Sequence, residues 1–172
     1  MFDCHSCHHT MDDKRYGSRP QTRGIGPGNV RLNDSTLVML RAILDPISPA
    51  DSKKILQQTQ ALHKASTRSM SALAQAQSAL DSSMERISQR FASKSFDDAE
   101  KRAMLNAVVK LGKRGELRDY VAAEQAVMAI DLLLLDLGER DANKSKLDAL
   151  YATVNNENSY SPSRLIQALR AF

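Results

Sequence analysis

The sequence predicts an all-α fold: a helical bundle of about five to six helices, one of them long, after a non-helical N-terminal segment. Alanine and leucine are the commonest of the 172 residues, tryptophan is absent and aromatic residues make up 5%. This composition is typical of helices. Apolar residues recur at three- and four-residue steps through most of residues 34–172, and no segment shows the alternating pattern of a strand.

The chain divides into two parts, residues 1–33 and residues 34–172. Residues 12–33 contain four of the seven glycines and the first two of the five prolines. Glycine and proline at this density interrupt both helices and strands. We therefore expect residues 1–33 to form a head and a glycine- and arginine-rich loop, and residues 34–172 to form the helical bundle.

The first two helices are predicted from capping residues. The first begins at residues 33–35 and stops at Pro46. Ser48 and Pro49 begin the second, since serine is a favoured N-cap and proline at the first helical position has no amide to lose. Its apolar pattern runs to about Phe91, which at about 1.5 Å per residue corresponds to roughly 60 Å. We expect one very long helix or a break near the serine-rich stretch.

The later helices follow the same signals. They are predicted at residues 96–111 after Ser95, at residues 120–137 after Asp119, from Asp141 onwards, and from Ser161 and Pro162 to the chain end. Gly112 and Gly115 are expected to end the first of these helices. The second half of residues 120–137 is apolar nearly all round, which predicts a buried central helix.

Residues 4–8 read Cys-His-Ser-Cys-His and use both cysteines of the chain. This C-x-x-C-H spacing is typical of a c-type haem, whose vinyl groups react with the two thiols while the following histidine binds the iron. The motif predicts a covalent haem with Cys4 and Cys7 as thioether residues and His8 as the proximal iron ligand.

Three other interpretations of this motif stay open. Zinc prefers thiolate and imidazole, so Cys4, Cys7 and either His8 or His9 could bind it; outside the head only His63 remains to add a ligand. The second interpretation is a redox dithiol, although such motifs usually follow a strand and none is predicted before Cys4. The third interpretation is a chance match.

Two further histidines are candidate iron ligands. His63 lies at the edge of the apolar face of the long helix and would make the haem bis-histidine, a ligation that suits electron transfer. A half-exposed surface histidine is the alternative. His9 directly follows the proximal ligand and is expected to point away from the iron that His8 binds. It is either a ligand of a neighbouring haem or an imidazole exposed at the surface.

The loop supplies candidate contacts for the haem propionates in Arg19, Arg23 and Arg31. A guanidinium group binds a carboxylate through two parallel hydrogen bonds. The alternative for each arginine is that it contacts no propionate and is solvated in a flexible basic loop.

Charge and composition argue against several other functions. The formal net charge is +4, with basic and acidic residues interleaved, so we expect no nucleic-acid binding. No apolar run has the length of a membrane span. We expect no hydrolase or transferase, because the sequence has no nucleophile–base set and no phosphate-binding loop.

The position of the motif bears on localisation. It begins three residues after Met1, which leaves no room for a signal peptide. Covalent haem attachment takes place outside the bacterial cytoplasm, so we expect this chain to be a fragment of a longer protein that is periplasmic or extracellular.

The head, residues 2–9, with Arg15, Tyr16 and the loop leading to Asn33, resembles the last haem-binding segment of bacterial multihaem c-type cytochromes related to the nitrifier tetrahaem cytochrome. Residues 123–129 resemble the C-terminal helical part of the same family. The resemblance implies electron transport through closely spaced, mostly bis-histidine haems. It also implies that the partners are other haem domains of the parent protein or a redox partner protein.

Two functions therefore follow from the sequence. The first is electron transfer by one covalently bound c-type haem within a longer multihaem cytochrome. The second is a zinc-stapled helical protein-interaction domain without redox activity.

Overall fold

The structure is a computed structural model and describes residues 19–25, 29 and 31–172. Within these residues it has seven α-helices, two short 3₁₀-helices and no β-strand, which confirms the all-α prediction. The α-helices are α1 Ser35–Ile47, α2 Pro49–Ser66, α3 Met70–Phe91, α4 Asp98–Lys113, α5 Tyr120–Asp136, α6 Lys144–Tyr151 and α7 Pro162–Leu169, with 3₁₀ turns at Asp141–Asn143 and Glu157–Ser159.

The segment predicted to form one long or broken helix forms two helices, α2 and α3. The break that the sequence allowed is therefore present. Ser69 begins α3 as an N-cap, with its hydroxyl oxygen accepting a hydrogen bond from the amide of Ala72 at 3.1 Å. The two helices pack against each other. For instance, Gln58 of α2 donates to the carbonyl of Ala79 on α3 at 2.7 Å.

Two other helix boundaries differ from the prediction. Pro46 lies inside the last turn of α1 and does not stop it. Ser95 does not cap α4. Asp97 does, in a reciprocal capping box in which it accepts from the Glu100 amide at 2.8 Å and its own amide donates to the Glu100 carboxylate at 3.1 Å. A capping box satisfies two free amides at once, which favours Asp97 over a lone serine.

Two apolar clusters form the core, and α1 contributes to both. Val38 of α1 joins the larger cluster, which includes Val108 of α4 and Ile130 of α5. Leu44 of α1 joins the smaller cluster, which includes Ile55 of α2. All five side chains are at most 2% exposed, so α1 connects the α2–α3 pair to the rest of the bundle.

The second half of α5 is buried on one side only, and the prediction of a fully buried helix is wrong here. Ile130 and Leu134 are 0% and 2% exposed, as predicted. Met128, Leu132 and Leu135 are 51%, 62% and 55% exposed. These three residues lie at i, i+4 and i+7, on one face of the helix. We call them the α5 stripe.

Candidate functional site

The haem-motif residues Cys4, Cys7, His8 and His9 lie outside the described residues. The candidate site residues that the structure describes are His63 and the three arginines of the loop. The site is therefore built from α2, from the loop that leads out of the head, and from the helix N-termini that these two contact.

His63 is buried in the last turn of α2, with 1% of its surface exposed. Its Nε2 lies 3.0 Å from Oδ2 of Asp34. Its Nδ1 is also buried and has no hydrogen-bond partner within the part of the chain that the structure describes. The half-exposed surface position that was the alternative for His63 is thus wrong, whereas iron ligation stays a prediction.

Asp34 connects His63 to the loop. Its Oδ2 accepts from His63, and its Oδ1 accepts from Nη2 of Arg19 at 3.2 Å. Burial opposes ionisation of this carboxyl, but the charge of Arg19 and the hydrogen bond from His63 outweigh burial. The pKa of Asp34 is therefore below its ordinary value of 3.8, and Asp34 is a buried carboxylate.

Arg19 is 4% exposed and binds two carboxylates of the chain. Its second contact runs from Nη1 to Oδ2 of Asp119 at 3.0 Å. Asp119 also caps α5, accepting from the Ala122 amide at 2.8 Å, and receives a hydrogen bond from the Ser35 hydroxyl at 2.8 Å. The first described residue after the head is therefore fixed to the N-termini of α1 and α5.

The other two candidate arginines are more accessible than Arg19. Arg23 is exposed and Arg31 is half-buried. Contact of any of the three arginines with a propionate stays a prediction. For Arg19 the structure adds that both of its terminal nitrogens bind carboxylates of the protein.

The loop at residues 19–25 lies against α2. Gln60 donates from Nε2 to the carbonyl of Pro20 at 2.8 Å. One residue past His63, the side chain of Lys64 passes Gly24, where an added Cβ would lie 3.4 Å from its Cε. Gly24 has a φ of 87°, a conformation that favours glycine. The loop therefore follows the same helix that carries His63.

A second, partly buried ion pair lies where the loop meets the segment before α5. Arg41 of α1 forms an ion pair with Glu116, which also accepts a hydrogen bond from Nε2 of Gln21 at 3.4 Å. Burial and the nearby charge of Arg19 lower the pKa of Arg118. The loop is therefore held to the bundle at Gln21 as well as at Arg19.

A groove of about 420 Å³ opens at the junction of α2 and α3. It is lined by Ala61, Lys64, Ala65, Arg68, Ala72, Gln75 and Ala76. At about 100° per residue, Lys64 lies on a different face of α2 from His63, and Arg68 follows the end of α2. None of the lining residues is His63, Asp34 or Arg19, so the groove is separate from the network around His63.

Among the described residues, no group of three histidine, cysteine, aspartate or glutamate side chains could hold a metal ion. None of the described helices is long and apolar enough to cross a membrane. Comparison of the chain with family models, with curated proteins and with solved structures finds no match.

Sequence reasoning missed the partners of His63 and Arg19. Asp34 and Asp119 precede apolar helical patterns, so they read as ordinary N-caps. Asp119 does cap α5, whereas Asp34 makes no side-chain capping bond. A capping aspartate and a buried salt-bridge aspartate look alike in a single sequence. Only the tertiary structure shows that Asp34 binds His63 and Arg19 and makes no cap bond.

Proposed function

We propose that this chain transfers electrons through one covalently bound c-type haem and belongs to a longer multihaem cytochrome. The C-x-x-C-H motif at residues 4–8 is the observation that carries the proposal. Cys4 and Cys7 would hold the haem through thioether bonds and His8 would bind its iron. The haem supplies one-electron chemistry by cycling its iron between two oxidation states.

The buried His63 supports the proposal. It offers an imidazole nitrogen without a partner in the described part of the chain, which fits the donor that a bis-histidine haem needs. A bis-histidine iron has no open position for substrate, so this ligation suits electron transfer and not catalysis at the iron.

The chain connection between head and bundle is compatible with this ligation. Eleven residue steps separate His8 from Arg19, a reach of at most roughly 40 Å. Arg19 and His63 bind the same carboxylate, Asp34. The head therefore joins the described fold one side chain away from the proposed distal ligand, well within the reach of the intervening chain.

The wider setting of the protein follows from the same proposal. His9 would bind the iron of a neighbouring haem, and the electron partners would be other haem domains of the parent protein or a separate redox protein. The parent protein would be periplasmic or extracellular, where c-type haems are attached. The helices would shield the haem and tune its potential by burial.

An absorption spectrum tests the proposal. The chain is exported to the periplasm of a host that carries a cytochrome maturation system, and the purified protein is reduced and then denatured. We expect haem bands that persist through denaturation, and we expect the Cys4→Ala/Cys7→Ala variant to lose the covalent haem. The matched control is Ser6→Ala, which changes the motif between the cysteines and keeps every haem-binding residue.

A colourless protein that carries stoichiometric zinc would overturn the proposal. It would support the alternative function, a helical protein-interaction domain in which Cys4, Cys7 and a head histidine bind zinc.

A further inference from the structure

We propose that Asp34 positions the ring of His63 so that Nδ1, and not Nε2, is the nitrogen that binds the haem iron. This inference rests on the proposed function and deepens it by naming the ligating atom. Asp34 is a positioning residue in this account, because it acts on the iron only through His63.

The first step is that Nε2 of His63 is already hydrogen-bonded to Asp34. It lies 3.0 Å from Oδ2 of Asp34. A carboxylate only accepts hydrogen bonds, so the proton of the pair is on Nε2. The carboxylate itself is held in place, because its other oxygen accepts from Arg19 at 3.2 Å.

The second step is that Nδ1 carries a free lone pair. A proton on Nδ1 as well would make the ring cationic and leave a buried donor without an acceptor in the described part of the chain. A neutral ring with its proton on Nε2 avoids both costs.

The third step is that this arrangement is the one that metal-binding histidines adopt. Such histidines donate their second ring N–H to a carboxylate or carbonyl, which fixes the tautomer and raises the basicity of the ligating nitrogen. The other buried polar atoms without a partner in the described residues include Gln21 Oε1, Gln58 Oε1 and Arg41 Nε. These are amide oxygens and a guanidinium nitrogen, which do not serve as haem ligands.

The tautomer of His63 can be measured without haem. The full chain is labelled with ¹⁵N, produced without a maturation system, and examined by long-range ¹H–¹⁵N correlation spectroscopy. Signals are assigned by comparison with His63→Gln. We expect a protonated Nε2 and a bare Nδ1. A bare Nε2, or a ring protonated on both nitrogens at neutral pH, overturns the inference.

Asp119→Asn is the matched control for Asp34→Asn. Asp119 also binds Arg19 but is not a partner of His63, and asparagine keeps the helix cap. We expect Asp34→Asn to abolish the preference for the Nε2 proton and Asp119→Asn to leave it unchanged. If Asp34→Asn does not fold, the tautomer of His63 measured in the unmodified chain still tests the inference.

The haem-loaded chain gives an independent readout. We expect His63→Gln to convert the haem from low spin to high spin. We expect Asp34→Asn to raise the reduction potential, because a less basic ligand stabilises the ferric iron less. The rise should exceed that of Asp119→Asn, which removes the same charge but leaves the hydrogen bond to His63 in place. A low-spin haem that His63→Gln does not alter overturns this inference alone. A protein without haem overturns the proposed function and, with it, the ligation.

Discussion

Arg19 and Asp119 are one hundred residues apart in the sequence, and their side chains meet at 3.0 Å. The contact joins the loop to the residue that caps α5. Because Arg19 also binds Asp34, one guanidinium group binds two carboxylates from two helix N-termini. This arginine therefore helps to hold the loop in position relative to His63.

Arg19→Met is expected to destabilise the protein strongly. It keeps most of the side-chain volume but leaves Asp34, which is 3% exposed, without its counter-ion. Removing one partner of a buried ion pair typically costs about 3–5 kcal/mol. Urea unfolding followed by circular dichroism gives the change in the free energy of unfolding.

Arg23→Met in the same loop is the control for Arg19→Met. Arg23 is exposed, and surface substitutions usually change stability by less than about 0.5 kcal/mol. Equal losses in the two variants would show that the network around Arg19 contributes nothing specific to stability.

The sequence predicted helices well and predicted the network poorly, and the reason is physical. The starts of α2, α5 and α7 depend on neighbouring residues such as Ser48 and Pro49, whose preferences are local. The Arg19–Asp119 contact depends on how the whole bundle packs, and no local pattern carries that information. For His63, the sequence predicted a position at the edge of an apolar face. Its contact with Asp34 comes from outside α2 and is not visible in a local pattern.

Asp131 is expected to make stability depend on acid pH. Hydrogen bonds from Arg140 at 2.6 and 3.0 Å are the main cause that lowers the pKa of Asp131; burial opposes them, and Tyr151 at 2.8 Å adds to them. Since the pKa is lower in the folded chain than its ordinary value of 3.8, the carboxylate stabilises the fold above about that pH. This contribution is lost as the pH falls through the folded pKa.

Asp131→Asn is therefore expected to be less stable than the unmodified chain near neutral pH and to lose less stability on acidification. Free energies of unfolding at several pH values between about 6 and 2.5, which bracket the ordinary carboxyl range, test this. Asp148→Asn, at an exposed position on α6, serves as the control. Parallel pH curves for the Asp131 variant and the unmodified chain would refute the assignment.

Gly112 is expected to matter for packing and not for ending α4. The sequence predicted that Gly112 and Gly115 end α4. The helix continues through Gly112 to Lys113, and of the two glycines only Gly115 has a left-handed φ, of 73°. A Cβ at Gly112 would overlap Cδ1 of Leu169 and lie 3.1 Å from Cδ1 of Leu117. Gly112 thus allows α7 to approach α4 closely.

Gly112→Ala should accordingly destabilise the protein. Overpacking costs about 1–3 kcal/mol, which exceeds the gain of up to about 1 kcal/mol in helix propensity. A double-mutant cycle with Leu169→Ala measures the coupling, because the smaller side chain makes room for the new methyl group. Stabilisation by Gly112→Ala in the otherwise unmodified chain would contradict the close approach.

Substitutions on the two faces of α5 are expected to differ strongly in their effect on stability. The sequence could not divide this helix, because leucines at four successive positions give no polar side to point outwards. In the structure Leu134 is 2% exposed, whereas Leu132 is 62% exposed.

Leu134→Ala should cost about 2–5 kcal/mol, since it removes buried methyl groups and leaves a cavity. Leu132→Ala should change the free energy of unfolding by less than about 0.5 kcal/mol. Thermal and urea unfolding of both variants in parallel measure the difference, and a loss at Leu132 as large as that at Leu134 would mean that the α5 stripe is covered in solution.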